Sequence, residues 1–554
     1  MRLSAVLIAA ALFFLLYSAK GFAQFVDIAT PELAGGASAT GVAWADFDAD
    51  GDEDLFVANF DAPNRLFQNN AGSLVPVTPS VFDVVGPAMS VAWADVDNDG
   101  LPDLYVAYEG APNRLFQNLG AGEFEEVSPS ALADPGLGVS VVWLDFDNDG
   151  LIDLYHTRDN EPNLLFRNLG GFTFEQVLGS VVADDAAGRS CVSADYDLDG
   201  DLDIYLCNSG GPNHLYRNDD GVFTDATPLE LIEPGPSVCA DWGDFDNDGD
   251  FDLFVSNFFA PNHLYRNDGG GAFTDVTPIT LGVVSSPLAC MWEDIDNDGL
   301  LDLFLVNHLS ENVLFRNLGG GDFGPFTDAA LADAGSISID ATWSDYDADG
   351  DLDAYLANAS PNRLLRNDSA AGNSWLEFRL IGSLSNRSAI GARVVVTVGG
   401  IPHTRRVSGG GRYLSQDSLV VHVGLGVVSV VDQIDVYWPS GSVTQLTAQT
   451  PNQLLLLTEP STIEPEFRRG DQNGDGTRNI ADAVLALEQL FVSGTTECLD
   501  AADINDDGLF NIADPIFLLG YLFASGLTPP APFSACGVDP TVDGLGCAQF
   551  SICP

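Results

Sequence analysis

The sequence predicts a mainly β protein: a seven-bladed β-propeller, then a small β domain, then a small α-helical module made of a duplicated Ca-loop–helix unit. Three observations lead there. The pattern Asp-x-Asp-x-Asp-Gly-x-x-Asp occurs seven times, with first aspartates at Asp46, Asp95, Asp145, Asp195, Asp244, Asp294 and Asp345, 49 to 51 residues apart. Each period holds four short apolar segments punctuated by Gly, Asn and Pro, and a fixed period of that length marks a repeat architecture. Two further Asp/Asn-rich loops near the C-terminus each run into an amphipathic stretch.

The first element, residues 1–23, reads as a secretory signal peptide. Arg2 precedes an apolar run from Ala5 to Leu16, and the small residues Gly21 and Ala23 stand just before Gln24. The run is too short for a membrane anchor and no later segment reaches spanning length. A secreted, extracellular protein is the expectation. Loss of Arg2 and Lys20, the only lysine, would deepen the net charge of −60 by two. So acidic a chain excludes nucleic acid and anionic membrane as default partners.

The repeat unit fills residues 24–369. A short apolar strand stands before each loop, with Trp44, Trp93, Trp143, Trp242, Trp292 and Trp343 two residues ahead of the first Asp. A nearly continuous apolar run follows the loop, such as Leu253 to Val255, then a third strand such as Pro63 to Asn69, and a fourth such as Phe273 to Thr277. The apolar runs lack in–out alternation, as expected of strands buried on both faces between neighbouring blades. The fourth-strand motif stands before the first loop as Phe25-Val26-Asp27-Ile28-Ala29 and is missing after the seventh. This N-terminal strand is therefore expected to pair with the strands of residues 341–367 and close the ring, removing exposed edges.

Four carboxylates at positions 1, 3, 5 and 9 of a tight Gly-containing turn make an oxygen-rich cage suited to Ca²⁺. Without a cation, acids ~5 Å apart repel by roughly 3 kcal/mol per pair at an effective dielectric of 20. The expected ligands of the first loop are Asp46, Asp48, Asp50, Asp52 and Asp54, and of the second Asp95, Asp97, Asp99, Leu101 and Asp103. The third has Asp145, Asp147, Asp149, Leu151 and Asp153; the fourth Asp195, Asp197, Asp199, Asp201 and Asp203. The fifth has Asp244, Asp246, Asp248, Asp250 and Asp252; the sixth Asp294, Asp296, Asp298, Leu300 and Asp302; the seventh Asp345, Asp347, Asp349, Asp351 and Asp353. Position 7 contributes its backbone carbonyl. An EF-hand needs a carboxylate at position 12 and a following helix, but position 12 here is Val57, Val106, His156, Leu206, Val255, Leu305 or Leu356, inside strands. The loops and the Phe-Thr-Asp strands resemble the VCBS/FG-GAP repeats of extracellular propellers, including integrin-type heads, over roughly residues 25 to 367.

Residues 374–459 form the next element. The strings Ser385-Asn386-Arg387-Ser388-Ala389-Ile390-Gly391-Ala392-Arg393, Gly411-Arg412-Tyr413-Leu414-Ser415-Gln416, His422-Val423-Gly424-Leu425-Gly426 and Val436-Tyr437-Trp438-Pro439-Ser440-Gly441 resemble the ASPIC/UnbV domain. Arg379, Arg387, Arg393, Arg405, Arg406 and Arg412 make it near neutral beside an acidic neighbour. That predicts docking on the propeller or an anion-binding face, unless the arginines are simply solvated.

Residues 460–469 read as a linker, 470–524 as the Ca-loop–helix module and 525–554 as a Cys-containing tail. The first loop of the module offers Asp471, Asn473, Asp475, Thr477, Asn479 and Asp482, and the second Asp503, Asn505, Asp507, Leu509, Asn511 and Asp514. Helices are expected over Ala483 to Phe491 and Ile516 to Phe523. The duplicated unit resembles the dockerin type I module, which implies two more Ca²⁺ and a cohesin-like partner. Loop positions 10 and 11 are Ile480-Ala481 and Ile512-Ala513, where that family often has Ser-Thr.

Eight cysteines in an exported chain point to disulfides. Cys498, Cys536, Cys547 and Cys553 allow three pairings. In the repeats, Cys191 and Cys207 are expected opposite each other in a hairpin, and Cys239 and Cys290 could meet between neighbouring blades.

No catalytic or cofactor-binding residue is predicted. The exported chain has no lysine for a Schiff base or phosphate loop, and neither His-Glu-x-x-His nor Gly-x-Ser-x-Gly occurs. His214 and His263 read as surface residues of the repeat, and His156 and His308 as residues that could line a propeller face without a matched partner. Gly409-Gly410-Gly411 lacks the strand-to-helix context of a nucleotide loop. The expected function is a calcium-binding extracellular binding or adhesion scaffold, with a protein or polysaccharide ligand and a dockerin-like assembly module. The alternatives are a carbohydrate-binding lectin, or a polysaccharide lyase or hydrolase of propeller fold.

Overall fold

The computed structural model describes residues 25–533 except 79, 184, 233–234, 369–371, 461–467, 473–476, 492–497, 508 and 525. The expected signal peptide, Cys536, Cys547, Cys553 and the loop residues Asn473 and Asp475 lie outside the described residues. The chain divides into two compact units, Met1–Pro460 and Ser461–Pro554.

Between Phe25 and Asn367 the first unit holds seven four-stranded antiparallel sheets. The first is Ala39–Ala45, Asp54–Asn59, Arg65–Asn69 and Leu74–Pro76, and the next five repeat its order. Every residue of Ala39–Ala45 and Asp54–Asn59 is buried, as the unbroken apolar runs require. Each innermost strand neighbours that of the next sheet, and Ser338–Ser344 of the seventh neighbours Ala39–Ala45 of the first. The seventh sheet takes its outer strand from the N-terminus, where Phe25 lies opposite Asn367, Val26 opposite Arg366 and Asp27 opposite Leu365. These sheets form a propeller.

Aromatic rings join the sheets face to face. Phe56 meets Trp93, Tyr105 meets Trp143, Tyr205 meets Trp242, Phe254 meets Trp292 and Phe304 meets Trp343, each a residue of one second strand set edge-on to the next sheet's tryptophan. Such pairs add about 0.5–1.5 kcal/mol beyond their area. Each innermost strand begins with a β-bulge. In the fourth sheet Ala194, not Asp195, lies opposite Asp203, so unbroken pairing from the loop sets Cys191 against Leu206 and leaves Cys207 in the bulge beyond. The expected Cys191–Cys207 opposition is therefore wrong by one position, because the loop is closed one residue before its first aspartate.

The remainder of this unit is two smaller sheets. One orders Val421–Gly426, Ser374–Ile381 and Gln453–Thr458, with the last pair parallel; the other orders Ile401–Arg406, Arg393–Val398, Val431–Tyr437 and Val443–Gln449. Phe378, Ile390, Val394, Val396, Val423, Ile434 and Trp438 form their core, continuous with that of the second and third propeller sheets.

The second unit contains helices Ile480–Phe491, Leu499–Ala502 and Ala513–Phe523. The two long helices pack through Ala483 and Leu518, with Ile504 between them. Each is preceded by an asparagine whose side-chain oxygen accepts a helix N–H, Asn479 from Ala481 and Asn511 from Ala513.

Candidate metal centres and the plugged channel

The seven Asp-Gly loops share one hydrogen-bond scheme. The position-1 carboxylate accepts the N–H groups of positions 5 and 6, as Asp46 does from Asp50 and Gly51, in every loop. The position-5 carboxylate accepts the N–H of position 7 in all seven. Position 4 takes a left-handed backbone in each, from Ala49 at φ 60° to Ala348 at φ 58°, which turns the chain tightly enough to bring these carboxylates together. Oxygens of Asp46, Asp48 and Asp50 lie within 4.8 Å of one another, as do those of Asp95, Asp97 and Asp99, of Asp195, Asp197 and Asp199, and of Asp244, Asp246 and Asp248.

Position 3 carries the most informative atom. Its Oδ1 is buried and unpaired at Asp48, Asp147, Asp197, Asp246, Asp296 and Asp347. Its Oδ2 receives a donor from the third strand in the first, second, third and sixth loops: Gln68 at 2.5 Å, Gln117 at 3.0 Å, Arg167 and Arg316. In the first, third and sixth loops one oxygen is thus held by the third strand while the other is buried without a donor. Hard oxygen donors, a fixed turn and orphaned carboxylate oxygens fit a hard divalent cation such as Ca²⁺.

Position 9 behaves differently. Asp54, Asp103, Asp153, Asp203, Asp252, Asp302 and Asp353 each accept the backbone N–H of the asparagine ending the third strand. In the first five loops the second oxygen accepts the N–H of position 2. Asp153 also approaches Asp145 and Asp147 in one acidic cluster. Burial pushes Asp54 and Asp103 up to about 8 and Asp153, Asp203 and Asp252 up to about 9, against the pull of those N–H groups.

Sequence reasoning missed the role of the third-strand asparagine, although it stands at one position of every repeat. Its Nδ2 reaches a backbone carbonyl in the neighbouring sheet's loop: Asn118 to Phe47, Asn168 to Val96, Asn218 to Phe146, Asn267 to Tyr196, Asn317 to Phe245, Asn367 to Ile295, and Asn69 round to Tyr346. The loops are thus linked around the ring.

The arginine-bearing domain docks on this loop face. Arg379 reaches Asp46 and Glu53, Ser388 accepts the N–H of Asp95, and His422 Nε2 lies 2.6 Å from Asn297 Oδ1. From it, residues 409–417 enter the centre of the ring and touch the innermost strand of every sheet. Trp143 N–H donates to Gly409 O, Cys191 N–H to Gly411 O and Val91 N–H to Leu414 O. Gln416 exchanges both side-chain bonds with the backbone of Trp93, and its own N–H donates to Val42 O. Arg412 pairs with Asp241 at 3.5 Å, with Glu293 at 3.6 Å and with Asp417. Asp417 accepts the N–H of Trp343. A Cβ on Gly409 or Gly411 would lie 1.8 Å from the carbonyl oxygen of Trp143 or Cys191. The triple glycine is there for backbone approach.

The remaining candidates fall as follows. His214 and His263 sit half-buried beside Asp225 and Asp275. His308 is half-buried just past the strand Asp302–Asn307. His156 is fully buried 3.5 Å from Asn113 Nδ2, and burial lowers it to about 4, so it lines no face. The sulfurs of Cys239 and Cys290 lie 2.7 Å apart, and both residues are buried, as are Cys191 and Cys207. In the second unit, Asp503 and Asp507 repeat the loop scheme through the N–H groups of Asp507 and Leu509, and Asp514 accepts those of Ile504, Asn505 and Asn511. In the first loop of that unit Asp482 accepts the N–H of Asn479.

Fold and loops together define a repeat propeller with acidic Asp-Gly loops, plugged by a second β domain. Family comparison gives both parts a description. An FG-GAP-like repeat model matches residues 46–106, 95–156, 195–255, 244–305 and 294–356, and the ASPIC and UnbV model matches 382–464, so the chain carries FG-GAP-like repeats and an ASPIC and UnbV domain. No curated protein matches the chain. Among solved structures it is similar to the BP39L lectin from Burkholderia pseudomallei, with 12% identity over 61% of this chain and 98% of the lectin and a TM-score of 0.48. It is also similar to BBS1N from a complex with ARL6DN, with 13% identity over 63% and 98% and a TM-score of 0.42. YCF48 from Cyanidioschyzon merolae gives 10% identity over 62% and 98%, with a TM-score of 0.41. No helix among the described residues is long and apolar enough to cross a membrane.

Proposed function

We propose that the protein is an exported, Ca²⁺-stabilised propeller that serves as an extracellular binding or adhesion scaffold, with its C-terminal loop–helix unit acting as a dockerin-like assembly module. The observation that carries the calcium reading is the buried, unpaired position-3 oxygen recurring in six of the seven propeller loops. A cation coordinated by positions 1, 3 and 5 and a position-7 carbonyl would satisfy it. Calcium's part would be to neutralise the loops and fix their turns, with chain oxygens filling its coordination shell.

The protein is read as a binder because the carboxylates at positions 1, 5 and 9 of the loops accept backbone N–H groups, and Glu53, Asp241 and Glu293 under the second domain pair with arginines. The second reading, a carbohydrate-binding lectin, is favoured by the tryptophan-lined cavity between propeller and second domain. Equilibrium dialysis of exhaustively chelated protein should return about seven ions in the propeller and about two in the C-terminal unit. Pull-down from extracellular matrix should then recover a ligand with calcium and lose it with chelator. Calcium uptake well below one ion per loop would remove the scaffold reading, and turnover of any polysaccharide would replace it with an enzyme.

A further inference from the structure

A cavity of about 340 Å³ lies where the ring's loop face meets the second domain. Its size suits a small molecule. Gly51, Ala348 and Leu454, all exposed, stand at its rim. Inside are indole rings and an unusual density of charge, and the partners of those charges decide what the space can hold.

The carboxylates are engaged. Asp241 is paired with Arg406 at 3.0 Å and with Arg412, which also takes Glu293 and Asp417. Glu53 is paired with Arg379, Glu377 lies 3.4 Å from His422, and Asp345 accepts two N–H groups of its own loop. The atoms left over are donors. Arg405 Nη2 and Arg406 Nε are buried without a hydrogen-bond partner, although both residues line the cavity. Arg405 is 9% exposed, and among the described residues no carboxylate stands within ion-pair distance of it. Asp294, Asp244 and Glu293 act on it only from further away, and its Nη1 donates to the carbonyl of Thr404. The indole N–H groups of Trp242, Trp292 and Trp343 are also unpaired, but so are those of Trp44 and Trp93 outside the cavity. The guanidiniums therefore carry the argument.

A buried guanidinium with an unsatisfied fork is costly unless an acceptor fills it, and planar oxyanions match it best. A cation within the cavity would find Glu53, Asp241, Glu293 and Asp417 already paired with arginines. We propose that this cavity binds a small oxyanion, held by Arg405 and Arg406. The anion is either free or carried as the carboxylate of a small polyhydroxylated molecule stacked on the indole rings. The inference rests on the scaffold reading and names the ligand class of one site on it.

Calorimetric titration of the calcium-loaded full chain with sodium D-glucuronate, sodium sulfate and D-glucose tests it. At least one anion should bind and neutral glucose should not; glucuronate alone indicates a sugar-borne carboxylate, and sulfate a free oxyanion. Arg405→Gln should weaken binding at least about tenfold, the loss expected for one charge-assisted contact. Tryptophan emission of the wild type should change on anion addition, a measurement that needs no variant to fold. Absence of binding by both anions with unchanged emission overturns the proposal, as does glucose binding equal to glucuronate, or unaltered anion binding by an Arg405→Gln variant that melts like wild type. Calcium uptake without anion binding would leave the scaffold reading standing and remove this one.

Discussion

The seven acidic loops and the 409–417 segment meet at the same face and solve opposite problems. Each loop is organised mostly from within: its position-1 and position-5 carboxylates accept its own N–H groups, and the same local scheme is written seven times. The inserted segment satisfies almost nothing of its own. One stretch of chain meets seven strands that differ in sequence, offering a carbonyl to Trp143, an amide to Trp93 and a guanidinium to Asp241 and Glu293. A repeated element can be maintained by local chemistry alone. A non-repeated element at the symmetry axis depends on every repeat at once.

Metal removal should separate the two most strongly. Each ion held at a hundredfold excess over its Kd contributes about 2.7 kcal/mol, and linked loops add such terms. Calorimetry in excess chelator should show a large fall in melting temperature; an unchanged one would mean the loops stand without metal. Next, Arg412→Ala should destabilise the first unit by about 3–5 kcal/mol in urea, since it leaves Glu293 without its cation and Asp241 with Arg406 alone. A loss under about 1 kcal/mol would demote the segment to a filler. Asn168→Ala should cost about 1–3 kcal/mol through the carbonyls of Val96 and Ile152, and urea unfolding at the wild-type midpoint would mean the loops are not linked through it.

A finer effect lies among the loops themselves. Gln68 and Gln117 stand where the third, fourth, fifth, sixth and seventh repeats have Arg167, Arg217, Arg266, Arg316 and Arg366. A cationic donor beside a cation site lowers its affinity, so Arg316→Gln should raise calcium affinity at that loop by about threefold to tenfold. Isothermal titration reads the change, and an unaltered isotherm would remove the distinction between the two kinds of loop. A further effect is one of sign. In chelated protein the position-9 acids have folded pKa values above those of the unfolded chain, at about 8 for Asp54 and about 9 for Asp153. The folded state then binds more protons, so metal-free stability should fall as pH rises from about 4 towards 9. With calcium bound, protons compete with the ion and the slope should reverse in the acid range. Urea midpoints measured across that range, with and without chelator, read both slopes.

The sequence showed the loops plainly because their chemistry is local: aspartates and a glycine within nine residues fix the turn and gather the carboxylates. The closing strand was visible for a similar reason, since a motif missing at one end stood at the other. The insertion was not. Gly409, Gly411 and Gln416 look ordinary until seven strands surround them, and the glycines matter only because carbonyls of Trp143 and Cys191 come so close. Cys207 was misplaced by one position because Ala194, not Asp195, lies opposite Asp203, a closure that periodicity cannot reveal. Arginines read as docking, anion-binding or solvated turned out to divide: Arg379, Arg406 and Arg412 pair with propeller acids, whereas Arg405 does not.

The strand Phe25–Asp27 has a consequence for the order in which the molecule is made. It leaves the ribosome before any other part of the described chain, yet its partner, residues 363–367, is synthesised more than three hundred residues later. Until then the first strand waits unpaired and the ring is an open arc with two raw ends. Residues 409–417 emerge later still, so the axis of the ring stays unfilled until the ring itself can form. The earliest and latest strands of the propeller must therefore find each other across the length of the whole ring, and the segment that fills its axis is made after both.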